Sequence, residues 1–165
     1  MIFVTVGTTK FSFDRLLKAV DKVMQNLKSK EKLVVQKGTS RYLFKYLNLK
    51  TFKEIPYNKM ISYFKKARVI VTSGGPASTF QALKYGKNKP LVVPRSKKLG
   101  EHVDEHEIFF VHFLEERGDV EVAFPNDNLP EKLKGYLLSP SRSKKKEIIV
   151  ASKNLIKKLI GYTES

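Results

Sequence analysis

The residues best suited to chemistry are Ser73-Gly74-Gly75-Pro76, because they break an apolar β-branched run, Val69 to Val71, and restart the chain as a helix. The two glycines remove side chains at the turn, and Pro76 suits a first helical position, whose N–H needs no partner. A helix begun this way aims free N–H groups and the positive end of its dipole at whatever lies beyond the turn, where phosphate is the natural occupant. Ala77 belongs to the same first turn, and Ser73 and Ser78 supply hydroxyls beside it. Taken alone, this pattern is equally a tight strand-to-helix connection in any α/β domain. Two more stretches strengthen the anion reading: Gly7-Thr8-Thr9-Lys10 after the first apolar run, and the charge-rich stretch Arg95 to His106 after Val92-Val93-Pro94.

The elements that must position these turns alternate along the chain. Strands are predicted over Ile2 to Val6, Leu33 to Gln36, Thr51 to Ile55, Val69 to Val71, Leu91 to Val93 and Val120 to Phe124. Apolar residues at helical spacing predict a helix from an N-cap at Ser12 to about Leu27, and others over Tyr57 to Lys66, Glu105 to Arg117 and Leu129 to Leu138. Ser40 to Leu47 reads as a short helix with Tyr42, Leu43, Tyr46 and Leu47 turned inward, and Ser143 to Ile160 as a closing helix. Such alternation predicts an α/β domain, a Rossmann-like parallel sheet flanked by helices, with its ligand outside the carboxyl ends of the strands. The glycine turns and the charged loop then share one rim, and the amides freed at the fourth strand's exit are expected to face an open crevice.

A chain of 165 residues, 41% hydrophobic, is sized for one domain over 1–165. Without cysteine it forms no disulfide, thiolate metal site or cysteine nucleophile, which fits a reducing, cytoplasmic setting. The apolar opening Met1 to Gly7 is far too short to span a bilayer. Lys+Arg 32 against Asp+Glu 16, a net charge of +16, favours an anionic partner. Nucleic acid is disfavoured, because no aromatic stacking platform or reading motif accompanies the charge. Most of the lysines read as solvated faces, and the C-terminal cluster, Lys144-Lys145-Lys146 with Lys157-Lys158, either does the same or meets an anionic membrane surface. The stretch 141–165 either packs on its own domain or docks on a partner through Ile148, Ile149, Leu155, Ile156 and Leu159. No cofactor and no metal is called for, since Asp104, Glu105 and Glu107 read as carboxylates at a helix start. Arg95 either touches phosphate or pairs with a carboxylate such as Glu101, His102 and His106 lie on the substrate rim, and His112 reads as an ordinary packed or surface histidine.

Several stretches in order resemble the C-terminal domain of family 28 glycosyltransferases over nearly the whole chain: Ile2-Phe3-Val4-Thr5-Val6-Gly7-Thr8 with Phe13-Asp14-Arg15-Leu16, Gln36-Lys37-Gly38, Ser73-Gly74-Gly75-Pro76-Ala77-Ser78, Val92-Val93-Pro94-Arg95, and Gly100-Glu101-His102-Val103-Asp104-Glu105-His106. The resemblance is to stand-alone versions, namely the small subunit of the dolichol-pathway UDP-N-acetylglucosaminyltransferase and bacterial capsule and exopolysaccharide relatives. It implies the C-terminal half of a GT-B enzyme, which holds the UDP-sugar donor, while a separate membrane-anchored subunit binds a lipid-linked sugar acceptor and carries the general base. It further implies that Gly74, Gly75 and the following helix face the diphosphate, that Gly7 and Thr8 line the interdomain cleft, that Gln81 meets the ribose, and that His106 and Glu107 lie near the sugar. Relatives usually carry histidine at the position of Ser73, glutamate at that of Gln81 and glutamine at that of Glu107. Those departures leave two readings, a two-chain inverting transferase held at the cytoplasmic membrane face by its partner, or a non-catalytic activator with a degenerate donor site.

Overall fold

A computed structural model describes residues 1–143. The chain runs β1 (Ile2–Thr5), α1 (Asp14–Asn26), β2 (Leu33–Gln36), β3 (Leu49–Phe52), α2 (Tyr57–Lys66), β4 (Val69–Ser73), α3 (Pro76–Tyr85), β5 (Leu91–Val93), α4 (His106–Glu116), β6 (Glu121–Val122) and α5 (Leu129–Leu138). The sheet has six strands in the order β3-β2-β1-β4-β5-β6, and all neighbours pair in parallel. Ile2 to Thr5 pair with Leu33 to Gln36 on one side and Val69 to Thr72 on the other, so the strand order reverses at β1 and β4.

Side-chain alternation sorts the core into two layers. Ile2 and Val4, Val69 and Val71, Leu91 and Val93 face a layer built by α1 and α5, where they meet Leu16, Leu17, Val20, Met24 and Leu133. Phe3, Val34 and Ile70 face α2 and α3, meeting Phe64 and Ala82, and Val92 meets Val111 and Leu114 of α4. Strands covered on both faces need apolar residues at every position, which is why the runs are continuous rather than alternating. Tyr136 of α5 pins the sheet from beneath: its hydroxyl lies 2.7 Å from the Lys89 carbonyl and accepts from the Ile70 amide at 3.2 Å.

The structure corrects the sequence reading in places. Ser40 to Leu47 is not helical, and of its apolar residues only Tyr46 is buried while Leu43 and Leu47 stand 81% and 96% exposed. The cause is Asp21, fully buried on α1, whose carboxylate accepts from the Tyr46 amide at 2.8 Å, the Lys45 amide at 3.0 Å and the Tyr42 hydroxyl at 2.8 Å. Those amides satisfy a carboxylate instead of a helical carbonyl. Ser12 does not cap α1: Phe13 holds the cap position without a side-chain bond, and its own amide donates to the Ser40 hydroxyl at 2.7 Å. The third strand begins two residues earlier than expected, at Leu49. The closing helix over Ser143 to Ile160 lies outside the described residues but for its first position. Among the described residues no helix is long and apolar enough to cross a membrane.

Candidate functional site

The exits of β1, β2, β4 and β5 meet at one end of the sheet, at the β1/β4 reversal, where open α/β sheets bind their ligands. Gly7 leaves β1 with φ +72°, and a Cβ there would lie 3.8 Å from the Ser73 hydroxyl, which ends β4. Gly38, beyond β2, has φ +56°, and its absent Cβ would sit 2.5 Å from the Gly7 carbonyl oxygen. Only a residue without a side chain lets those two turns touch. Thr8 is exposed at the rim, and Ser73 is buried.

The β4–α3 turn matches the expected strand–glycine–helix form. Gly75 caps α3 and Pro76 takes a first-turn position, with Ala77 exposed and Ser78 half-buried beside it. Hydroxyls within the turn are spent locally, Ser78 and Thr79 both donating to the Gly75 carbonyl, at 3.2 and 2.9 Å. This fixes the turn while leaving the first amides of α3 without carbonyl partners in their own helix. Gln81 is half-buried further along α3.

The expected open crevice is partly filled at Gly74. Glu107, in the first turn of α4, is 8% exposed. Its carboxylate accepts from the Arg95 amide at 3.0 Å and lies against the Gly74 backbone. A Cβ on Gly74 would lie 2.9 Å from the Glu107 Cβ, and one on Gly75 3.8 Å from a Glu107 carboxylate oxygen. Burial pushes this carboxyl above its usual range, against the lowering pull of the Arg95 amide and of the Arg95 and His102 charges. A carboxyl group thus already stands against the glycine turn.

Arg95 does not present itself to a ligand. It is 1% exposed, and its guanidinium donates to the carbonyls of Val6 at 2.7 Å, Phe11 and Ser12 at 3.1 Å each, and Glu101 at 3.3 Å, while stacking over Phe13. It clamps the β1 exit to the charged loop. Glu101 pairs instead with Arg15, at 2.8 and 2.9 Å, so neither half of the Arg95–Glu101 side-chain pair forms. His102 is half-buried, 3.1 Å from Asp104, and its ring lies against Phe11. His106 also reaches Asp104, at 3.0 Å, but is 85% exposed, so it and Glu107, adjacent in sequence, part into solvent and interior. His112 stacks on Phe124, as an ordinary surface histidine. Sequence reasoning missed Asp21, Arg15 and the inward turn of Glu107, because each depends on contacts between residues far apart along the chain.

Over residues 1–160 the chain matches the family described as Glycosyltransferase family 28 C-terminal domain. Among solved structures it resembles the glycotransferase of kitacinnamycin, at 16% identity and a TM-score of 0.58, over 83% of this chain and 33% of that one. It also matches the glycosyltransferase SnogD from Streptomyces nogalater, at 16% identity and a TM-score of 0.49, over 92% of this chain and 42% of that one. The chain therefore spans about a third of the length of the first of these. No curated protein matches it.

Proposed function

The chain belongs to the glycosyltransferase family 28 C-terminal domain family, and from that premise we propose that it is the UDP-sugar-binding subunit of a two-chain inverting transferase. The observation that carries the reading is the Gly74-Gly75 turn, set at the sheet's reversal point and opening directly into α3. As the sugar leaves, negative charge grows on the diphosphate, and backbone amides with a helix dipole stabilise it without reorganising. Gly74, Gly75, Pro76, Ala77 and Ser78 form that cradle. Gly7, Thr8 and Ser73 line the cleft side, Gln81 serves the ribose, and His102 and His106 border the sugar. Arg95 supports the rim from beneath.

The acceptor and the general base belong to the other half of a GT-B enzyme, which we assign to a membrane-anchored subunit that presents a lipid-linked sugar in glycan, capsule or exopolysaccharide synthesis. The chain then works at the cytoplasmic membrane face through that partner, its positive charge favouring an anionic surface. A second reading, a non-catalytic activator, is favoured by the carboxylate standing at the glycine turn. Calorimetric titration with UDP and UDP-sugars, with and without the partner subunit, tests the assignment. Binding in either state is the expected result, and its absence from both leaves the activator.

A further inference from the structure

Buried carboxylates in this domain are held in different ways. Glu101 is gripped by Arg15 and Asp119 by Arg117, both through charged partners. Asp21 takes a phenol and two amides. Glu107 has no cationic side chain within ion-pair distance among the described residues; its carboxylate takes the Arg95 N–H at the exit of β5 and packs against the glycine backbone at the exit of β4. The nearest cation is already committed, since Arg95 spends its guanidinium on carbonyls on the far side of the loop. These backbone groups are of the kind that hold phosphate in a strand–glycine–helix turn.

We propose that Glu107 is an internal anion that occupies the phosphate position of the Gly74-Gly75 turn, so that a nucleoside diphosphate binds only by displacing it. The inference rests on the donor-binding reading above and adds an antagonist to it. The fit is close on both sides: Gly74 leaves room for the Glu107 Cβ that no other residue would leave, and the carboxylate reaches the face of Gly75. An incoming diphosphate meets a fixed negative charge in a water-poor corner, where like charges repel far more than in bulk solvent. Relief comes by swinging the first turn of α4 or by turning the Glu107 side chain away from the Arg95 amide and the Gly74 backbone. The residue at 107 thereby sets how tightly the subunit holds donor, separately from the groups that contact it.

Glu107→Gln keeps the shape and one acceptor oxygen for the Arg95 amide while removing the charge. Calorimetry of the full chain with UDP at pH 8, alongside a thermal melt, is expected to show Glu107→Gln binding at least about tenfold more tightly than the parent. Equal or weaker binding by a folded Glu107→Gln, with UDP still bound by the parent, overturns the proposal and leaves donor binding standing. No binding by either chain, alone or with the partner subunit, overturns both. Amide NMR of the unaltered protein gives a reading that needs no variant: UDP binding is expected to move the Gly74 and Arg95 amide signals together, and binding that leaves them in place overturns the displacement.

Discussion

Gly74 and Gly75 are neighbours with opposite tolerances. A methyl at Gly74 collides with the Glu107 Cβ at 2.9 Å and with Val111 at 3.1 Å, in a corner closed by α4. Gly74→Ala is expected to cost about 1–3 kcal/mol, measured by urea denaturation. At Gly75 the backbone is extended, φ −63°, and the nearest atoms to an added Cβ lie at 3.8 Å. Gly75→Asp therefore leaves the domain folded, checked by a thermal melt, while abolishing UDP binding by calorimetry, since it adds a second carboxylate at the cradle. Unchanged UDP affinity would remove the diphosphate from this turn. Both glycines were legible as a turn from their neighbours in sequence, Val69 to Val71 before and Pro76 after. Their difference was not, because it is set by Glu107, a residue on another helix.

Among the elements, the connection from β2 to β3 departs furthest from its local pattern. Tyr42, Leu43, Tyr46 and Leu47 carry helical spacing, yet Asp21 draws the segment into an extended path against α1. A buried carboxylate that accepts two consecutive amides outweighs a weak helix of eight residues, whose nucleation is itself unfavourable. Burial, with the Asp21 carboxylate beside it, pushes the Tyr42 phenol up to about 12. Asp21→Asn leaves part of this set unsatisfied and is expected to lower stability by about 2–4 kcal/mol, with hydrogen exchange quickening first at Lys45 and Tyr46. Apart from β3, the other helices and strands among the described residues were legible to within a residue or two because their apolar spacing and their burial agree, as at Met60, Ile61 and Phe64 of α2. Nothing in α1 itself marks Asp21 as buried, since the segment that arrives over it, Tyr42 to Tyr46, lies more than a helix length away along the chain.

Across the whole molecule, opposed carboxylates shape the acid response. Burial raises Glu31, but hydrogen bonds and charge from Arg68 and the N-terminal ammonium, at 2.8 and 2.7 Å, outweigh it and hold the carboxyl below its ordinary value. A lowered carboxyl contributes stability that is complete above the ordinary value near 4.5 and is lost as pH falls through the folded one. Glu107, raised by burial, acts in the opposite sense: its charged form weakens the fold at neutral pH, and that penalty is relieved as pH falls through its folded value toward the ordinary one. Glu31→Gln is expected to melt lower than the parent at pH 7 and to converge with it below pH ~4, whereas Glu107→Gln melts no lower at pH 7 and diverges least in acid. Melting curves for both from pH 7 to pH 3 check the signs.

The contact between Gly38 and the Gly7 carbonyl has a mechanical corollary. With 2.5 Å where a Cβ would stand, the β1 and β2 exits interlock as a single stiff lip, and the Arg95 clamp on Val6 braces that lip from behind. Accommodation of a guest then falls to the opposing jaw, where α4 begins and Glu107 rests on the Arg95 amide, so this end of the sheet yields from one side only.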